Sequence, residues 1–243
     1  MNHLKTLLIA LLALPQFSQA QNSKIQLGIE GGLNRSQFLT DNKNGSNNLY
    51  NRNYSGNIRP SAGIIFQVNT KSFFSFKTGI SFDRKAYTTK TENNNAQLQS
   101  TYQSRDVNTF DYISLPLLGK LTFGKKVQFF LNAGVYFAFL VDQNILSEGT
   151  SSLVWEGENY YNEFSSNNSI IDRYKRRDFG LIGGLGLGVP IKKHWYISLE
   201  AREVVGLLNL YNSTKYKNPP TKNANFNMLL GISYKLGLRE EKK

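Results

Sequence analysis

The chain has 243 residues, with 29 Lys and Arg against 17 Asp and Glu for a net charge of +12, and it contains no cysteine. That composition excludes a disulfide scaffold and every thiolate metal site, so stability must come from packing or from lipid. Beyond residue 20 no run of about 18 apolar residues remains, which excludes a membrane-spanning helix, and the mean hydropathy is −0.39.

The first 20 residues read as a cleaved secretory signal. Lys5 supplies a positive start, residues 7–14 form a short apolar run, and Ser18-Gln19-Ala20 is a small-x-small cleavage site. The expected mature chain begins at Gln21, and no cysteine is present to carry a lipoprotein anchor.

From there the dominant signal is a period of two. Strands turn alternate side chains to opposite faces. The first predicted strand, 24–38, sends Ile25, Leu27, Ile29 and Leu33 one way and Gln26, Glu30 and Asn34 the other. Strands follow at 58–69 (Ile58, Ala62, Ile64, Phe66 outward), 72–88 (Phe74, Phe76, Ile80, Phe82) and 110–123 (Ile113, Leu115, Leu117, Leu121). The fifth, 127–141, is apolar at every odd position from Val127 to Val141. The last three are 174–189, 194–208 and 225–238, the seventh interrupted outward by Glu203, which calls for a bulge or a position above the membrane.

The connections sort by length. Residues 39–57, 89–109, 142–173 and 209–224 are long and polar, whereas Thr70-Lys71, 124–126 and 190–193 are short turns. Long strands, apolar on one face, joined by alternating long loops and short turns predict an all-β fold: an eight-stranded antiparallel transmembrane up-and-down β-barrel in an outer membrane. A hairpin around Glu156-Gly157-Glu158 is read as loop structure outside the membrane; if it crossed, the count would be ten. A soluble β-sandwich would have strands nearer 5–6 residues and no such sorting of connections.

Basic residues fall in two groups. Lys71, Lys125, Lys126, Lys192 and Lys193 lie in the short turns, and Arg35, Arg84, Lys90, Arg105 and Arg173 lie at the opposite strand ends. Two belts separated by apolar strands suit anionic membrane surfaces, lipopolysaccharide included, rather than nucleic acid. Aromatics near strand ends, among them Phe73, Tyr87, Phe110, Phe123, Trp195, Tyr196 and Tyr211, are expected to form interfacial girdles.

Several segments in order carry a family resemblance: Leu27-Gly28-Ile29-Glu30-Gly31-Gly32-Leu33-Asn34, Phe76-Lys77-Thr78-Gly79-Ile80-Ser81-Phe82, Asp111-Tyr112-Ile113-Ser114-Leu115-Pro116-Leu117-Leu118, Asp178-Phe179-Gly180-Leu181-Ile182-Gly183-Gly184-Leu185-Gly186, and the closing strand 229–238. On these the chain resembles the PorT-like outer-membrane β-barrel family. Ser114 stands where the family pattern has an acidic residue. The resemblance implies the barrel and its location but no reaction; one relative works in protein secretion, a role that fold alone does not transfer.

Candidate sites follow from the inner face. Glu30, Lys77, Lys120, Glu200, Arg202 and Lys235 form an expected lumen charge network, because a narrow barrel leaves no room for unpaired charge. His194 is the one histidine beyond the leader and sits in a short turn with no Ser/His/acid set, so no catalytic residue is assigned. With no cysteine and no histidine pair, no metal ligand is assigned either, nor any cofactor. Gly183-Gly184-Leu185-Gly186 lacks the helix and Lys-Ser/Thr ending of a phosphate loop. In the loops, Tyr50, Tyr54, Trp155, Tyr160 and Tyr161 are the interaction candidates, since aromatic and Asn-rich loops on a rigid scaffold commonly bind. The expected function is a monomeric, non-enzymatic scaffold or interaction protein. A narrow pore or small-ligand transporter is the alternative, and a barrel enzyme acting on lipid or protein a weaker one.

Overall fold

Among the described residues the alternating pattern resolves into nine strands. A computed structural model describes residues 24–40, 51–70, 73–95, 99–191, 194–212 and 221–236. The expected signal segment, Tyr50 and parts of the long loops lie outside the described residues. The strands are β1 (Lys24–Thr40), β2 (Asn51–Asn69), β3 (Phe74–Asn95), β4 (Ser100–Phe123), β5 (Gln128–Trp155), β6 (Glu158–Asn168), β7 (Arg177–Ile191), β8 (Trp195–Gly206) and β9 (Thr221–Leu236).

Eight of them close a ring. Each neighbour pair is antiparallel, β5 passes to β7, and β1 pairs with both β2 and β9. Closure leaves no open edge inside the membrane, as a span without water requires. Outward residues such as Ile29, Ile64, Ile80, Phe129, Leu185 and Leu230 are exposed, and they alternate with inward residues such as Glu30, Ile65, Ser81, Phe130, Gly186 and Leu229, which are buried. An apolar outer wall of this extent is tolerable only against lipid.

The ninth strand, β6, stands outside the ring and pairs only with the upper part of β5. It is the hairpin expected outside the membrane, with Glu156 and Gly157 as its turn. Both have positive φ (52° and 85°), as a two-residue type I′ turn demands.

Most of the segments expected as long loops are strand. β3 reaches Asn95 and β4 begins at Ser100, so the 89–109 connection narrows to a few residues. β5 continues to Trp155 across most of what reads as loop. Opposite polar strands hold each other by backbone hydrogen bonds, which polarity alone does not reveal. The result is a sheet of β2, β3, β4, β5 and β6 standing above the membrane.

Two bulges shape the wall. Asp111 pairs with Asp142 but Tyr112 pairs with Leu140, leaving Val141 extra. Beyond it the exposed positions of β5 change from odd to even (Leu146, Glu148), ending the odd-position alternation. A second shift lies between Asn57 and Ser61. Glu203 has no such origin: its pairing with Gly183 and Phe226 is regular, and the carboxylate faces outward near the upper end of β8.

Candidate functional site

The lumen is filled in layers. At mid-height, β1, β3 and β8 bring four charged residues together. Lys77 Nζ lies 2.7 Å from Glu30 Oε2 and 2.9 Å from Glu200 Oε2. Arg202 Nη1 lies 3.0 Å from Glu30 Oε1, and its Nε donates to Glu200 Oε1 at 2.6 Å. Two cations and two anions therefore close a neutral square, all buried. Each carboxylate oxygen faces a donor, which is the condition for keeping buried charge without a penalty of several kcal/mol (roughly, per ion).

Lys120 and Lys235, expected in the same network, occupy a different layer toward the short turns. Lys120 Nζ donates to Gln67 Oε1 at 3.2 Å and lies 4.0 Å from the Phe130 ring centroid and 5.2 Å from that of Tyr196. Lys235 Nζ lies 5.4 Å from the Tyr196 centroid. Ring faces carry negative potential and accept such cations. The rings fit because β7 is glycine there: a Cβ at Gly186 would fall on the Phe130 ring, and one at Gly188 on the Tyr196 ring. Tyr196 is thus buried in the lumen, not in the girdle, whereas Phe73, Phe123 and Trp195 remain exposed.

Above the ionic square lies a polar layer. Asp83 accepts from Ser61 Oγ at 2.5 Å and Ser81 Oγ at 3.1 Å. Asp178 accepts from Tyr136 Oη at 2.9 Å and Asn223 Nδ2 at 2.8 Å. The buried Lys85 places Nζ 4.7 Å from the Tyr112 centroid. A void of about 20 Å³, enough for a single water, lies among Asp83, Lys85, Tyr136, Arg202, Asn225 and Asn227.

An aromatic cap closes the upper mouth. Tyr87 and Phe110, expected in a girdle, turn inward: Phe110 is 1% exposed, stacks on Tyr87 at 5.8 Å and meets Tyr174 edge-on at 4.8 Å. Period alone cannot distinguish lipid contact from a core; here both strands continue above the lipid, and their apolar residues bury against the chain itself. The segment between β6 and β7 supplies the lid. It makes a 3-10 turn at Ile171–Arg173, and Tyr174 bridges and stacks on Tyr211 at 5.3 Å. Ile170 N donates to Gln143 Oε1 at 2.7 Å, anchoring the entry. Burial pushes the Tyr174 phenol up to about 12, so it stays neutral.

The loop candidates divide. Tyr54 lies in β2. Trp155, Tyr160 and Tyr161 lie near the tip of the β5–β6 hairpin, 59%, 57% and 65% exposed, Trp155 and Tyr160 on one face and Tyr161 on the other. Tyr161 Oη donates to Glu163 Oε1 at 2.9 Å. Nearby, an open cleft on the outer face of the sheet is bordered by Lys90, Arg105, Glu148 and Glu163. At the opposite end His194 stacks on Tyr234 at 5.1 Å, with Nδ1 3.2 Å from the Lys235 carbonyl oxygen. Its contacts are those of a turn residue. Among the described residues no three metal-ligating side chains converge.

A closed eight-stranded barrel with an apolar wall and a packed, charged lumen is an outer-membrane β-barrel protein. The chain belongs to the outer membrane protein beta-barrel domain family, whose pattern matches residues 17–212. No curated protein matches it. Among solved structures it is similar to the outer membrane protein OprG from Pseudomonas aeruginosa, at 11% identity and a TM-score of 0.42, covering 89% of this chain and 98% of that one. It is similar also to Ail, the attachment invasion locus protein of Yersinia pestis (12% identity, TM-score 0.36, covering 87% and 98%). A third is the Neisserial surface protein A (9% identity, TM-score 0.36, covering 86% and 96%).

Proposed function

We propose that the protein is a non-conducting, non-enzymatic outer-membrane scaffold that engages a protein partner through the sheet standing above the membrane. The observation that carries this reading is the lumen: aromatic cap, polar layer, ionic square and cation–aromatic layer succeed one another along the barrel. Such a filling supports an anchor rather than a pore or transporter, and leaves the exposed aromatic hairpin tip as the best contact surface. His194, held in a turn against Tyr234, offers no base to a nucleophile, which supports a role without chemistry. The segment order from Leu27 to Leu238 supports a place in the PorT-like group, and the basic strand ends support contact with lipopolysaccharide phosphates by a monomeric barrel.

Two experiments test the reading. In planar bilayers the purified barrel is expected to be silent; steady ohmic steps from the native chain would restore the pore. Cross-linking and affinity purification from intact outer membranes should recover a partner with the full chain. That partner should be lost when residues 148–165 are excised and Ser147 and Ser166, already paired, are joined by Asn-Gly. Recovery of the same partner after excision would refute the assignment of the contact to this hairpin.

A further inference from the structure

The strand β6 has one edge bonded to β5 and, among the described residues, nothing paired to the other. Ten of its 11 residues are exposed, Phe164 being half-buried. Natural edge strands are usually blunted by Lys, Pro, a bulge or shortness. Glu-Asn-Tyr-Tyr-Asn-Glu-Phe-Ser-Ser-Asn-Asn contains no Lys or Pro, its register with β5 is unbroken from Trp155↔Glu158 to Ile145↔Asn168, and its only charges are Glu158 and Glu163, which guard the edge against an acidic or like strand but not against a basic one.

The turn determines which backbone groups point outward. Trp155 and Glu158 flank a two-residue turn, so they form a hydrogen-bonded pair, and such pairs recur at every second residue. The even residues Tyr160, Asn162 and Phe164 therefore bond to β5. Asn159, Tyr161, Glu163, Ser165 and Asn167 present their N–H and C=O groups to the free side. Val154 N donating to the carbonyl oxygen of Gln99, the turn residue before β4, at 3.2 Å agrees with this phase.

Charge identifies the occupant. In a chain of net charge +12, residues 145–169 hold four glutamates and no Lys or Arg. Glu163 shares the outer face with Glu148, and Tyr160 and Phe164 share the inner one. We propose that the free edge of β6 takes up an extended basic segment of a partner protein as an added strand. That segment would alternate Lys or Arg, set against the glutamates, with β-branched or aromatic residues set against Tyr160 and Phe164. A second copy of β6 would bring its own glutamates to this edge and is disfavoured. The proposal rests on the interaction reading above and gives it a mode.

The test uses the full chain folded in zwitterionic nanodiscs and a synthetic acetyl-(Lys-Val)5-amide peptide. The controls are a Glu-Val repeat and a non-alternating peptide of the same Lys and Val content. Binding should slow amide exchange at Tyr161, Glu163 and Ser165 and should weaken with salt. Ser165→Pro removes an outward N–H while sparing the bonds to β5, and should weaken binding about tenfold. Glu163→Gln should weaken it roughly threefold. Unchanged exchange at 159–167, equal binding of the non-alternating peptide, or indifference to Ser165→Pro would overturn the added-strand mode. A cellular partner lost on excision of 148–165 but kept by Ser165→Pro would leave the interaction reading standing and remove this mode alone.

Discussion

Arg202→Ala is expected to destabilise the folded barrel by about 3–5 kcal/mol, the cost of leaving buried charge without its partner. Arg202 donates to both carboxylates of the ionic square, so its loss leaves Glu30 and Glu200 sharing Lys77 alone. Both anions are buried. Urea unfolding in lipid vesicles, with the temperature at which the gel-shifted folded band disappears as a second readout, measures the loss. Adding Glu200→Gln to Arg202→Met removes one charge of each sign and keeps the Glu30–Lys77 pair, so this double variant should recover most of it. A single variant as stable as the native chain would mean that the square contributes nothing.

The second large effect is expected at Phe110→Ala. Phe110 is the centre of the upper cap, touching Tyr87 and Tyr174, and a buried Phe→Ala change costs about 3–5 kcal/mol. Its consequence should be local. The lid over 170–174 is held by the Phe110–Tyr174–Tyr211 rings and a few backbone bonds, including Asn212 N to Arg173 O at 2.9 Å. Loosening it should speed tryptic cleavage at Arg173, Lys175 and Arg176, all exposed, while the ionic square below keeps its ion pairs. Unchanged cleavage would show that the lid is anchored elsewhere.

The wall was legible because its cause is local. A lipid-facing strand must repeat every two residues, and Val127 to Val141 or Leu27 to Leu33 show this without any knowledge of neighbours. The filling was legible only in part. Alternation alone puts Glu30, Lys77, Lys120, Glu200 and Arg202 on the inner face, but which cation meets which carboxylate depends on ring closure and strand stagger. These bring Lys77 and Arg202 to Glu30 and Glu200, and leave Lys120 on the Phe130 ring.

The misplacements have three origins. Tyr87, Phe110 and Tyr196 read as girdle aromatics because an apolar residue near a strand end looks the same whether lipid or protein covers it. The extra Val141 reverses the facing of β5 above it, and hydropathy does not register a bulge in advance. The polar stretches above the membrane read as loops because their order comes from pairing between strands distant in the chain.

Residue order by itself determined the spanning strands and their lipid and lumen faces, because these rest on side-chain period within a few residues; it left the β5–β6 hairpin, and with it a count of eight or ten, to the pairing of β5 with β7. Only the tertiary structure decided the ionic partners, the aromatic cap, the tall sheet and the open edge of β6. Those depend on contacts between residues far apart in sequence, whose geometry exists only once the ring has closed.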